Sequence, residues 1–233
     1  MTEILKDKTA LEGVDVRHWS VLLGRLHATL QTGSFARGVE LLDRVCVLAE
    51  RANHHPDVDL RYASVHLSLV THSAGGLTER DVALANEISA LAAELGLEVG
   101  RSPQATEIAI DAMDIPAVVP FWKAAFGYDA KHQGNDWELV DPAGIGPAVW
   151  FQQMDAPRPQ RNRIHLDVTV PHDVVQERLA AVIAAGGHLV TDRYAPAWWV
   201  LADAEGNEVC LCTWQGREGP SGPSGAGVLD SAT

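Results

Sequence analysis

The stretch "ERANHHPDVDLRY", Glu50 to Tyr62, decides how the first part of the chain folds. Upstream, "SFARGVELLDRVCVLAERAN" has helical spacing. Ser34 is a good N-cap, and Phe35, Val39, Leu42, Val45, Cys46 and Leu48 form an apolar stripe expected to pack inward. Pro56 requires this helix to stop before it. Downstream, "YASVHLSLVTH" alternates like a strand, with Val65, Leu67 and Leu69 on one face and His66, Ser68 and Val70 on the other. "SAGG" ends it, and "LTERDVALANEISALAAELG" gives a second helix. Thr78 is its cap, with Asp81 three residues on; Val82, Leu84, Ile88, Leu91 and Leu95 are its stripe and Gly96 its stop. From Trp19 to Leu30 the pattern leaves strand and helix both open.

The same stretch carries chemistry. His54 and His55 are adjacent, and His72 follows at the strand end. Imidazoles titrate near neutrality and can give and take protons. Glu50 or Asp81 could fix a tautomer or raise basicity. Three readings stay open on these residues alone: acid–base catalysis, structural capping and polar strand-end roles, or a zinc site. The spacing matches no common zinc signature.

Bulk properties narrow the class. The chain has 233 residues, with 31 acidic against 18 basic side chains and a formal charge of -13. That field disfavours nucleic acid and anionic membrane as direct partners. Three cysteines, Cys46, Cys210 and Cys212, make no disulfide framework and fit a reducing compartment. The first residues lack a signal-peptide apolar core, and no apolar run reaches transmembrane length, so a cytoplasmic location is expected.

The second part contains an internal repeat. "EIAIDAMD" (Glu107–Asp114) is similar to "HLDVTVPH" (His165–His172), and each precedes a helix-like run. "WELVDPAG" (Trp137–Gly144) and "WVLADAEG" (Trp199–Gly206) share W-x-L-x-D-x-x-G at an offset of 62. A strand, a helix and then several strands, used twice, predict paired βαβββ modules around a cleft. The Gly-, Pro- and Ser-rich segment 217–233 is expected to be a flexible tail.

The pattern E-x3-H-H-P-x5-Y-x9-H-x8-D, here Glu50, His54, His55, Pro56, Tyr62, His72 and Asp81, resembles the pterin-4a-carbinolamine dehydratase family over residues 11–97. The resemblance implies an α+β fold: a four-stranded antiparallel sheet with helices on one side, assembled as a homodimer or tetramer. It implies loss of water from 4a-hydroxytetrahydropterin to give quinonoid dihydropterin, without metal or other cofactor. By resemblance His54, His55 and His72 line the pterin site. His54 and His72 move protons, and His55 binds and polarises. Glu50 and Asp81 orient them, and Thr71 and Ser73 contact the pterin. Some relatives act instead as dimerisation partners of transcription factors, so a pterin-binding or regulatory role is the alternative.

Residues 105–216 resemble the glyoxalase / vicinal-oxygen-chelate superfamily. Its metal positions fall on Glu107 and His165 and near Ala148 and Cys210. Alanine is no ligand, and cysteine replaces the usual carboxylate, so no metal is expected. Gln152 and Glu208 lie nearby in sequence, and Glu107, His165 and Glu208 are candidates for a ligand cleft. Each also has a plain structural reading: a solvated strand end, a core histidine, a cross-strand hydrogen bond. Catalysis mainly by this part is a further alternative.

Overall fold

The structure, a computed structural model, describes residues 3–100, 103–134, 136–157, 164 and 166–216. Two compact units divide at Ala105 and Thr106.

In the first unit, α1 (Asp7–Glu12) precedes a hairpin of β1 (Trp19–Leu22) and β2 (Arg25–Gln31). The stretch that admitted both strand and helix is this hairpin. Leu23 and Gly24 both take positive φ, the conformation that two-residue hairpin turns demand. Then come α2 (Phe35–Ala52), β3 (Asp57–Leu60), β4 (Ser64–Leu69), α3 (Glu79–Glu94) and the short β5 (Glu98–Val99). The sheet is antiparallel in the order β1-β2-β4-β3, and β5 adds a short pairing at Leu30 and Gln31 of β2. One sheet face supplies Leu26, Ala28, Leu30, Val65, Leu67 and Leu69 to a core shared with α2 and α3. Fully burying each leucine contributes about 1.5–3 kcal/mol. The core takes in residues before position 11: Ala10 is fully buried, and the Leu5 N–H donates to Leu77 O.

The inward stripe of α2 differs from the expected one. Gly38, Leu41, Val45 and Ala49 are buried, with Leu42 and Leu48 partly so, whereas Phe35, Val39 and Cys46 are exposed. A Cβ on Gly38 would overlap Leu60 Cδ1, so the helix sits on the sheet through its small residues.

The second unit repeats one topology. β6 (Glu107–Ala112), α4 (Ile115–Phe126), β7 (Asp129–Gln133), β8 (Asp136–Val140) and β9 (Ala148–Gln153) form a sheet ordered β6-β9-β8-β7. β10 (Asp167–Thr169), α5 (Val175–Ala184), β11 (His188–Thr191), β12 (Trp198–Ala202) and β13 (Glu208–Cys212) form β10-β13-β12-β11. In each the first strand runs parallel to the last. The fold is thus α+β, an antiparallel sheet with helices followed by paired βαβββ modules.

The repeated aspartate of W-x-L-x-D-x-x-G has the same job in both modules. Asp141 accepts the N–H groups of Ala143, Ile145 and Gly146; Asp203 accepts those of Glu205 and Asn207. Gly144 and Gly206 take the positive φ each loop needs. Asp203 is also fully buried and accepts the indole N–H of Trp122 at 3.0 Å. Glu205 reaches from the second module to the Met113 and Asp114 N–H groups of the first. The tail 217–233 lies outside the described residues.

Candidate active site of the first unit

The site is built where α2 ends and α3 begins. α2 stops at Ala52, and Asn53 takes the left-handed conformation, φ 46°. The His54 N–H then bonds back to Ala49 O at 3.0 Å, and the chain leaves through Pro56. Arg80 donates to the Ala52 carbonyl at 3.2 Å and to that of Asn53. A cation at a helix C-terminus is electrostatically favourable, and here it pins the turn carrying His54.

Asp81 is fully buried and organises the cluster. Its Oδ1 lies 2.7 Å from His54 Nε2. Its Oδ2 accepts the Thr71 hydroxyl at 2.7 Å and the Thr78 N–H at 2.8 Å, completing the capping box of α3. A carboxylate only accepts, so the proton on this edge of His54 sits on Nε2, and in the neutral ring Nδ1 carries the lone pair. His54 is itself buried, at 7% exposure.

His55 is exposed, its Nε2 3.1 Å from Glu50 Oε1. His72 and Ser73 are exposed in the turn closed by the Thr71–Gly76 bridge, with Gly75 at φ 73°. The His72 and His54 segments are thereby anchored to one carboxylate, His54 directly and His72 through its neighbour Thr71. Tyr62 lies apart, 78% exposed between β3 and β4.

Thr71 is tied into the cluster. It is 3% exposed, and its hydroxyl is engaged by Asp81 and by Thr78 Oγ1 at 2.8 Å. It positions Asp81 and has no free proton for a pterin.

Sequence reasoning also missed Thr78 and Arg80 as parts of the cluster, although their place in "LTERD" was the available signal. It missed a second histidine pair as well. His27 of β2 and His66 of β4 stack on the sheet face opposite the core, with Nδ1 and Nε2 3.2 Å apart. Burial, then the neighbouring His66 and Arg25, pushes His27 down to about 4; burial also lowers His66.

In the second unit, Glu107 is exposed on β6 opposite Ala148, and Glu208 is half-buried on β13. Cys210 adjoins Asp167, and burial, then Asp167, pushes its thiol up to about 12. His165 lies outside the described residues. Among the described residues, no group of three or more His, Cys, Asp or Glu is placed to hold a metal. At the superfamily's positions Ala148 supplies no ligand, and Cys210 places a thiol where a carboxylate usually stands.

These features define an α+β chain with a histidine–carboxylate cluster in one unit and a duplicated module in the other. Comparison with known proteins makes both specific. Residues 3–91 match the family described as pterin 4 alpha carbinolamine dehydratase, and residues 107–212 match the glyoxalase-like domain. A Nocardia farcinica protein provisionally named pterin-4-alpha-carbinolamine dehydratase is 47% identical over 94 residues, 39% of this chain and 97% of that protein. A solved transcriptional coactivator/pterin dehydratase from Brucella melitensis is 25% identical with TM-score 0.36, covering 39% of this chain and 99% of that one. The fosfomycin resistance protein FosX of Mesorhizobium loti is 10% identical with TM-score 0.41, covering 48% of this chain and 93% of that one. The chain belongs, through its first unit, to the pterin-4-alpha-carbinolamine dehydratase family, and it carries a glyoxalase-like domain after it. Among the described residues no helix is long and apolar enough to cross a membrane.

Proposed function

We propose that the first unit dehydrates a 4a-hydroxytetrahydropterin to the quinonoid dihydropterin, with tetrahydrobiopterin metabolism as its setting. His54 Nδ1 takes the N5 proton of the substrate. The electrons of that N–H bond form the N5=C4a double bond, and the C4a hydroxyl leaves as water with a proton supplied by His72. His55, steadied by Glu50, polarises the bound pterin, and Ser73 is available to hydrogen-bond it. Asp81 holds the His54 tautomer, and Thr71 and Thr78 hold Asp81. The observation that carries this reading is the buried Asp81–His54 pair at 2.7 Å. It commits one imidazole nitrogen to a carboxylate and frees the other as a base. Positioned proton transfer contributes about 10²–10⁴-fold.

The exposed stripe of Phe35, Val39 and Cys46 on α2 supports a homo-oligomer. Phe35→Asp is expected to lower the mass seen in sedimentation. For the glyoxalase-like unit we propose a metal-free cleft for a second small molecule, with Glu107, Glu208 and His165 as its polar contacts.

The test is dehydration of freshly generated 4a-hydroxytetrahydropterin, followed by ultraviolet absorbance and corrected for the uncatalysed rate. Acceleration by the intact chain, lost in His54→Ala and in His72→Ala, is the expected result. A folded wild-type chain that gives no acceleration overturns the assignment.

A further inference from the structure

We propose that His27 and His66 form a binding site for one divalent transition-metal ion on the outer face of the first unit's sheet. The site is separate from the His54 cluster and does not depend on the dehydratase reading.

The register places the two rings. His27 faces Ser68 and Thr29 faces His66, so the histidines are diagonal neighbours on adjacent strands, within reach for long side chains. Their facing nitrogens, Nδ1 of His27 and Nε2 of His66, are 3.2 Å apart, with the ring planes 29° from parallel. Two nitrogens on one tetrahedral zinc, each at about 2.0–2.1 Å, are separated by roughly 3.3–3.4 Å. The strands therefore hold the two nitrogens, now hydrogen-bonded to each other, at a separation close to that bite.

The surroundings match that use. Thr29 Oγ1 lies 3.1 Å from His66 Nδ1. With the Nδ1–H donating to this hydroxyl, the Nε2 lone pair faces His27, as outer partners of metal-bound histidines arrange. The proton now between the rings moves to the far nitrogen of its ring when the ion enters, so none is lost. Asp59 stands opposite His66 in the register and supplies negative charge, shared with Arg61 at 2.8 Å. Arg25, the nearby cation, is paired with Asp57 and donates to Ser68. Both rings are half-buried, so water completes the coordination. Imidazole ligands without thiolate select copper, nickel, zinc or cobalt over magnesium or calcium, with copper(II) tightest.

The test is calorimetric titration of chelator-treated full chain with Cu²⁺, Ni²⁺, Zn²⁺ and Mg²⁺ salts. His27→Gln, His66→Gln and the double variant His54→Ala/His72→Ala are compared, with circular dichroism to check folding. The expected result is that His27→Gln and His66→Gln each remove one equivalent or weaken it by about tenfold or more. The double variant keeps it, and Mg²⁺ gives no heat. Paramagnetic broadening by Cu²⁺ of the His27 and His66 ring protons in wild type provides a readout that needs no variant. Wild type that binds no transition metal overturns the proposal. So does binding unchanged in both glutamine variants, or broadening confined to other histidines.

Discussion

Replacing Asp81 by asparagine separates what this residue does for folding from what it does for the reaction. In the native protein its Oδ2 receives the Thr71 hydroxyl and the Thr78 N–H, and its Oδ1 faces His54 Nε2. An asparagine can keep its carbonyl toward the two threonines and turn its amide toward His54. The imidazole then accepts at Nε2 and carries its proton on Nδ1. Every hydrogen bond survives, but charge-assisted ones become neutral. The difference between about 1.5–3 and about 0.5–1.5 kcal/mol is roughly 1 kcal/mol per bond, so the cost over the three bonds is about 3 kcal/mol. Asp81→Ala instead strands three buried donors at about 1–3 kcal/mol each, so it costs several kcal/mol. In urea denaturation Asp81→Asn should fold cooperatively with a lowered midpoint, and Asp81→Ala should lie well below it. Dehydration by Asp81→Asn should fall about 10²–10⁴-fold despite its folding, because the base nitrogen of His54 is now protonated. A folded Asp81→Asn chain with wild-type turnover would refute the tautomer argument.

Three further outcomes follow from other parts of the molecule. His27, lowered from 6.5 to about 4 when folded, contributes stability that is complete above pH 6.5 and declines as pH falls toward 4. At about 1.36 kcal/mol per pKa unit the loss is bounded near 3 kcal/mol, and partial exposure of the ring reduces it to about 1–2; urea midpoints at pH 7 and pH 4.5 should converge in His27→Gln relative to wild type. Gly38→Leu should cost about 1–3 kcal/mol, because its Cβ already meets Leu60 Cδ1 and the further atoms overpack the contact between α2 and the sheet, read as a lower melting temperature of the first unit. Glu205→Ala should cost about 1–2 kcal/mol by removing the acceptor of two backbone N–H groups, and amide exchange at Met113 and Asp114 should accelerate.

What could be read from the sequence followed local rules. The caps Ser34 and Thr78, the stop at Gly96 and the alternation of β4 are properties of a few adjacent residues, and each appears in the structure. The repeated tryptophan–aspartate–glycine motif gave the duplicated module because one hairpin loop needs the same carboxylate each time. The α2 stripe was misread because hydrophobicity was counted and smallness was not; Gly38 and Ala49 face the core because they are thin. The burial of Thr71 and its bond to Asp81, ten residues away in sequence, could not be read from its immediate neighbours. The His27–His66 pair depends on the register between β2 and β4, strands separated in sequence by α2 and β3, so no local pattern shows it.

The two modules of the second unit share a topology but have ceased to be equals. Asp141 serves only its own loop in the contacts described above, while its counterpart Asp203 has also taken charge of Trp122 in the other half. Glu205, beside it, has taken the N–H groups ahead of α4. A first half produced alone would therefore lack the carboxylate that receives the Trp122 indole and the one that receives the N–H groups of Met113 and Asp114. Such borrowing works as a ratchet on divergence. Once one copy depends on a side chain of the other, either half can change its ligand or its loops, but the pair can no longer return to a dimer of identical single modules without first rebuilding what was surrendered.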